Sequence, residues 1–390
     1  MFLKRIKEVV CLTPISTSIW FLMLAFSTFL TYHFHLSWLF IPIFALAFLF
    51  LHEFFAFFIF GRGLFPSAER VARMYQWPSF FMDGYEKADF NKIGDLTEGY
   101  FDNNFDKTIA QATSDKFDEI IKLLNLKKGY RILDVGCGLG DFLFHLKQKG
   151  IEGVGLTISP DQQRIAASRG IDVRYFDFRQ PLPEDLKGKF DAVIFMGCLE
   201  HFVQFYSTIS FCYRLIKRIK KNNHGIQVYH RAFESAYQAL SPQSSVRKIF
   251  STTLHVNKDY YRWDYNTWSL LDWVHVYFLH GHYSGNYPDE GDLPAASQPY
   301  FKVTYQYDAT IDYQYSSIAS SDHFGDNKIK WTIERIFFAL LLAIVNPFSW
   351  ATWLYHYLGT WMWQFGGKKI VPNQNRPMKT IWYVYEATSA

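Results

Sequence analysis

The chain has 390 residues, more than one average domain, so a core with additions is expected. A net charge of +4 is too mild for a nucleic-acid binder, whereas 39 Phe, 25 Tyr and 12 Trp suit a membrane surface or a deep apolar pocket. Cys11, Cys137, Cys198 and Cys212 show neither pairing nor CxxC spacing, which argues against a disulfide framework or a zinc site and fits a reducing compartment.

Ile15 to Tyr32 contains no Asp, Glu, Lys or Arg, and Leu36 to Phe60 contains only Glu53. Each run is long enough to cross a hydrocarbon core of about 30 Å. Lys4, Arg5 and Lys7 precede the first run, Arg62, Arg70 and Arg73 follow the second, and the link Thr31–Ser37 has no Lys or Arg. By the positive-inside rule, residues 1–66 are predicted to form a two-span transmembrane hairpin with both ends and the catalytic part on the cytosolic side. No small-x-small cleavage site follows the first run, which argues against a signal peptide. His52 and Glu53 lie near the cytosolic end of the second run, where snorkelling toward the headgroups competes with a functional reading.

Residues 67–126 are polar and mixed and form a predicted helical cap, with a helix over Ser114–Leu126. Arg131–Val135 reads as a buried strand, Gly136-Cys-Gly-Leu-Gly140 as a turn, and Asp141–Lys147 as a helix. A glycine turn between strand and helix lets a ligand lie against the backbone and the helix N-terminus. Asp134, just before the glycines, would repel a pyrophosphate but accept from the ammonium of an amino-acid-bearing cofactor such as S-adenosylmethionine.

Ile151–Thr157 is the second predicted strand, and Ser159 caps the helix after it. Ile171–Phe176 is the third, Phe190–Gly197 the fourth, and Ile226–His230 the fifth, after a helix over Phe205–Lys221. The basic end of that helix, Lys217 to Lys221, is either a solvated helix end or a contact for anionic headgroups. Strands alternating with helices imply an α/β domain with a parallel sheet over residues 127–235, whose ligand sits at the strand ends. Residues 236–390 then hold an irregular insert, an aromatic lid at Lys328–Phe365, and two closing strands at Pro299–Asp308 and Thr380–Ala387. His280 and His282 lack a patterned third ligand, so no metal site is expected.

The strand-end rule gathers Gly136, Gly138, Thr157, Asp177, Glu200, His201 and His230 around one crevice. Asp177 can accept from an adenine amino group, with Phe176 or Phe178 stacked on the ring. An acid usually ends the second strand to hold ribose hydroxyls; here Thr157-Ile158-Ser159 stands there, with Gln162 one turn on.

The segment from about Ser114 onward resembles the cyclopropane-fatty-acyl-phospholipid synthase family of S-adenosylmethionine-dependent methyltransferases. The matching stretches are Leu133-Asp-Val-Gly-Cys-Gly138, Gly155-Leu-Thr-Ile-Ser-Pro-Asp-Gln162, Asp177-Phe-Arg179, Leu199-Glu-His201, Tyr287–Pro294 and Tyr307-Asp-Ala-Thr-Ile311. The resemblance implies a Rossmann-like methyltransferase fold with a mostly parallel seven-stranded sheet. It implies cofactor contacts from Asp134, Gly136, Gly138, Thr157, Ile158, Gln162, Asp177 and Phe178. Family members hold a bicarbonate ion beside the sulfonium with a Cys, a Glu, a His and a Tyr; Glu200, His230 and Tyr307 match three of these. The cysteine belongs to a Tyr-Ser-Cys stretch that this chain lacks, since no cysteine lies between Cys11 and Cys137. The resemblance therefore implies C-methylation of an unsaturated fatty-acyl or sphingoid chain of a membrane lipid, by cyclopropanation or methyl branching. N-methylation of an amine and a catalytically silent, membrane-tethered binding role stand as rivals.

Overall fold

The computed structural model describes residues 14–55, 95, 97–202, 223–256, 288–316, 337, 340, 341, 344 and 378–388. Its centre is a seven-stranded sheet in the order β3-β2-β1-β4-β5-β7-β6. The strands are β1 (Arg131–Val135), β2 (Glu152–Thr157), β3 (Val173–Tyr175), β4 (Ala192–Met196), β5 (Lys248–Val256), β6 (Phe301–Asp308) and β7 (Met378–Ala387). The first five pair in parallel, and β7 runs antiparallel between β5 and β6. Ile132 to Val135 and Ala192 to Phe195 are buried throughout, as expected of parallel strands covered on both faces. The order reverses between β1 and β4, which opens a crevice at their C-terminal ends.

Helices α3 (Ile109–Leu124) and α4 (Asp141–Gln148) cover one face of the sheet through Phe117, Ile120, Phe142 and Leu146. Thr108 and Gln111 form a reciprocal capping box at the start of α3, and Asn125 ends it in the left-handed region. Helix α5 (Pro160–Ser168) has Ser159 as its N-cap and Pro160 in its first turn. The opposite face is covered by α6 (Asn223–Ala239) and the short α7 (Asp292–Ser297).

Helix α6 corrects the expected fifth strand. Ile226–His230 carries β-branched residues, but Tyr229, Ala232, Phe233, Ala236 and Ala239 recur at helical spacing and are all buried. That apolar stripe decides the conformation. The fifth strand is Lys248–Val256, inside what reads as an irregular insert; it pairs with β4 as far as Met196↔Thr252 and with β7 along its length. The two closing strands lie where the alternation predicts them.

Helices α1 (Pro14–His33) and α2 (Phe40–Phe55) form a hairpin closed by Trp20 and Ala45. Among the described residues no helix is long and apolar enough to cross a membrane, and the second expected span, Leu36 to Phe60, runs past them. Ser16, Thr17, Ser18, Ser27, Thr28 and Thr31 dilute the apolar run of α1. The Trp20 indole donates to the Ile344 carbonyl at 2.6 Å, so the hairpin meets the segment expected to form the aromatic lid. The rest of the lid, the helix expected at Phe205–Lys221 and the His280/His282 pair lie outside the described residues.

Candidate functional site

The crevice is built around the turn after β1. Gly136 and Gly138 have φ of +76° and +56°, a region that glycine enters without strain. A Cβ on Gly136 would come within 2.6 Å of the Cys198 Cβ, whereas one on Gly138 would project into open space. Asp134 is fully buried at the end of β1, and neither carboxyl oxygen has a hydrogen-bond partner among the described residues. Burial pushes its carboxyl up to about 8, the Asp95 charge adds to this, and Lys116 opposes it. A buried carboxyl without a donor is expensive, and a ligand ammonium would relieve it. The open face of Gly138 beside it is where such a ligand can approach the backbone.

At the end of β2, the Thr157 hydroxyl donates to Gln162 Oε1 at 2.8 Å and accepts from the Ser159 amide. Ile158 between them is half-buried. These residues therefore form one tied corner of the crevice. Burial pushes the Asp177 carboxyl up, but the hydrogen bonds and charge of Arg179 outweigh it and hold the group below the usual carboxylate range. Phe178 is buried against Phe195 and Phe202, so it belongs to the core rather than to a stacking surface; Phe176 is half-buried and keeps that possibility.

Glu200 sits in a 3₁₀ turn just beyond β4 and is buried. Its carboxylate accepts from the backbone of Glu200 and Leu254, while Oε2 has no partner among the described residues. Burial pushes it up to about 8, and the charge of Glu98 adds to the rise. His230 and Tyr307 hydrogen-bond to other groups. His230 lies on α6, bonds through Nδ1 to the Ala296 carbonyl at 3.0 Å, and packs against Tyr300 with the rings tilted. Tyr307 lies on edge strand β6, donates to Asp312 at 2.7 Å, and packs on Tyr100 and Trp382. The histidine that ends the true fifth strand is His255. It is fully buried, its Nε2 has no partner among the described residues, and burial pushes it down to about 4, so it is neutral at physiological pH.

Glu98 was not among the expected site residues. It is buried and accepts from the Thr252 hydroxyl of β5 and the Trp382 indole of β7. Its neighbours pin it there: the Gly99 amide donates to Ser316 and the Phe101 amide to Asp312, both on the helical stretch 310–316. Beside it, buried Lys116 bonds Asp95 and Thr97. The sequence signal was faint, a single glutamate in a polar segment with no periodicity. Among the described residues no group of three or more His, Cys, Asp and Glu is placed to hold a metal ion.

The family model for mycolic acid cyclopropane synthetase matches residues 90–258, which takes in Glu98, the glycine turn, Glu200 and β5. Over those residues the chain is similar to this family. A probable fatty acid methyltransferase of Pseudomonas putida is 33% identical over 138 residues, covering 32% of this chain and 34% of that protein. The cyclopropane-fatty-acyl-phospholipid synthase of Escherichia coli (strain K12) is 36% identical over 98 residues, covering 24% of each. The matched region therefore spans between a quarter and about a third of these relatives. The solved cyclopropane synthase MmaA2 of Mycobacterium tuberculosis superposes with a TM-score of 0.56 at 17% identity, covering 83% of this chain and 99% of that one. At that identity the likeness speaks for the shared Rossmann-like methyltransferase fold.

Proposed function

We propose that the chain is an S-adenosylmethionine-dependent C-methyltransferase that acts on an unsaturated acyl or sphingoid chain of a membrane lipid. The observation that carries this is Asp134: a buried carboxyl with no partner among the described residues, next to the open face of Gly138. It fits the ammonium of an amino-acid-bearing cofactor. Thr157, Ile158 and Gln162 would hold the ribose side, and Asp177 with Phe176 the adenine side.

When bound, the cofactor supplies an electrophilic methyl group. The chain's part is to hold and surround it. Positive charge develops on an alkene when its π-electrons take up a methyl group, and the Glu200 carboxyl, whose Oε2 has no partner among the described residues, would stabilise it. The partly buried rings of Tyr100 and Tyr307 pack against the buried Trp382 indole that holds Glu98 and would offer apolar and π surface to a lipid chain. The lipid reading draws support from the two lipid-modifying relatives. The membrane reading draws support from the hairpin, where Leu22, Phe29, Trp38 and Leu39 are 68%, 57%, 67% and 73% exposed. The basic flanks Lys4, Arg5, Lys7 and Arg62 favour the cytosolic leaflet.

The test is transfer of label from methyl-labelled S-adenosylmethionine to vesicles of cis-monounsaturated phospholipid or to ceramide. Label in the hydrocarbon chain after headgroup removal is the expected result. Label confined to amine headgroups would replace this reading with N-methylation. Cofactor binding without transfer to any lipid would leave the silent binding protein.

A further inference from the structure

Two buried carboxyls meet at β5 from different parts of the chain. Glu98 arrives from the segment ahead of α3 and bonds the Thr252 hydroxyl; Glu200 arrives from the turn after β4 and bonds the Leu254 amide. Their anchor points are two residues apart on one strand, about 6–7 Å of strand length. Both are buried, at 3% and 4% exposure, so neither is screened by bulk water. Trp382 holds Glu98 from the neighbouring strand, which leaves its carboxyl little freedom to turn away.

The other charged and titratable groups around the pair are also acidic on balance. Asp134 faces the same crevice without a donor, and Tyr313 feels the charge of both glutamates. Lys116 is the cation that acts on Glu98, and it is already bonded to Asp95 and Thr97. Where they ionise, such groups repel a bound anion such as bicarbonate and favour a cation. They also favour one shared proton over two full charges.

We propose that Glu98 and Glu200 form a built-in carboxyl base that removes the proton from the methylated lipid chain, in place of a separately bound anion. The inference rests on the C-methyltransferase reading. Once the alkene π-pair has formed the new C–C bond to the methyl group, the S–CH3 bond has broken with its pair left on the sulfur of S-adenosylhomocysteine, and the other alkene carbon is electron-deficient. A C–H bond of the transferred methyl breaks and its electron pair closes a cyclopropane ring, or a C–H bond on a carbon next to the cation breaks and its pair forms a new double bond; in either case the proton goes to the pair. The pair passes from one proton to two and returns one to water after product leaves. No oxidant or reductant takes part.

The full chain is compared with Glu98→Gln and Glu200→Gln. The Glu98→Gln variant keeps a side-chain oxygen to accept from Thr252 and Trp382, and S-adenosylhomocysteine binding by calorimetry reports whether it keeps its site. In carbonate-free buffer, wild-type label transfer is expected to continue at full rate, and Glu98→Gln to fall by roughly 10²–10⁴-fold, as for a lost general base. A second readout does not need turnover. With ¹³C-labelled glutamate, difference infrared spectroscopy follows the protonated carboxyl band of the pair. Removing one like charge is expected to move the partner's titration midpoint to lower pH. Should Glu98→Gln lose S-adenosylhomocysteine binding, Thr252→Val takes its place and is expected to raise the glutamate midpoint, because a donor to the carboxylate is gone. A wild-type rate that needs carbonate, a Glu98→Gln rate equal to wild type, or midpoints unmoved in these variants would overturn the pair. Absence of any lipid label in the wild type would instead overturn the function, and the infrared midpoints would still decide whether the glutamates are coupled.

Discussion

Asp134 and Glu200 are held as neutral acids by their surroundings, and this has a consequence for stability. Burial is the largest cause for both; it pushes each from the ordinary carboxylate range up to about 8. A folded-state value above the unfolded one means that their contribution is complete below the unfolded value and is lost as pH rises through about 8. His255 has the opposite sign: burial pushes it down to about 4, so its contribution is complete above its ordinary value of 6.5. Between about pH 6.5 and pH 8 the buried acids act in the same direction, Glu98 also being raised by burial, and the thermal midpoint of the ligand-free protein is expected to fall as pH rises. Asp134→Asn should flatten that slope in a calorimetric series. S-adenosylhomocysteine should flatten it too, because its ammonium keeps Asp134 ionised. An identical slope in the variant would mean that Asp134 does not titrate there.

Helix α6 is where the local and global signals part. Phe233 is fully buried between the sheet and α7, near Phe301 and Tyr385, so Phe233→Ala is expected to lose about 3–5 kcal/mol in denaturant unfolding. His230 on the same helix is half-buried and hydrogen-bonds to the Ala296 carbonyl. His230→Ala should lose only about 1 kcal/mol. It should also leave the rate of label transfer intact, since its contacts are with α7 and Tyr300 rather than with Glu200. A loss of transfer in His230→Ala without a loss of stability would return this histidine to the reaction centre. The pairing of the two variants matters because one helix then separates packing from chemistry.

The whole molecule joins an α/β core to an apolar hairpin. Phe21, Leu22, Phe26 and Phe29 on α1, with Trp38, Leu39, Ile43 and Leu46 around the turn and α2, expose large apolar side chains. Phe337, Leu340 and Ile344 add exposed apolar surface in the segment that Trp20 touches. So much contiguous apolar surface calls for a lipid or protein cover. Full-length protein carrying Leu22→Glu, Phe29→Glu and Trp38→Glu is expected to stop floating with phospholipid vesicles while binding S-adenosylhomocysteine as before. Flotation equal to wild type would exclude these side chains from the membrane contact.

The nucleotide-binding half of the fold was legible in the residues because its signals are local. A strand of five residues, a glycine turn and a helix follow one another, a second strand and a Ser159-capped helix come next, and each is dictated by its own composition. Asp134, Gly136, Gly138, Thr157 and Gln162 are fixed by that run and need no distant partner to be placed. The two antiparallel closing strands were readable from alternation for the same reason. Strand β5 was not, because it is buried on both faces and flanked on both edges, which erases alternation, while β-branched residues in α6 imitate a strand. Moving that strand exchanged His230 for His255. Glu98 was illegible for a different reason: its importance comes from Thr252 and Trp382, 154 and 284 residues away in the chain, and only the folded sheet brings those donors to it. Local composition thus set the turn that receives a cofactor, and the long-range closure of β5 and β7 decided which carboxyls share the crevice.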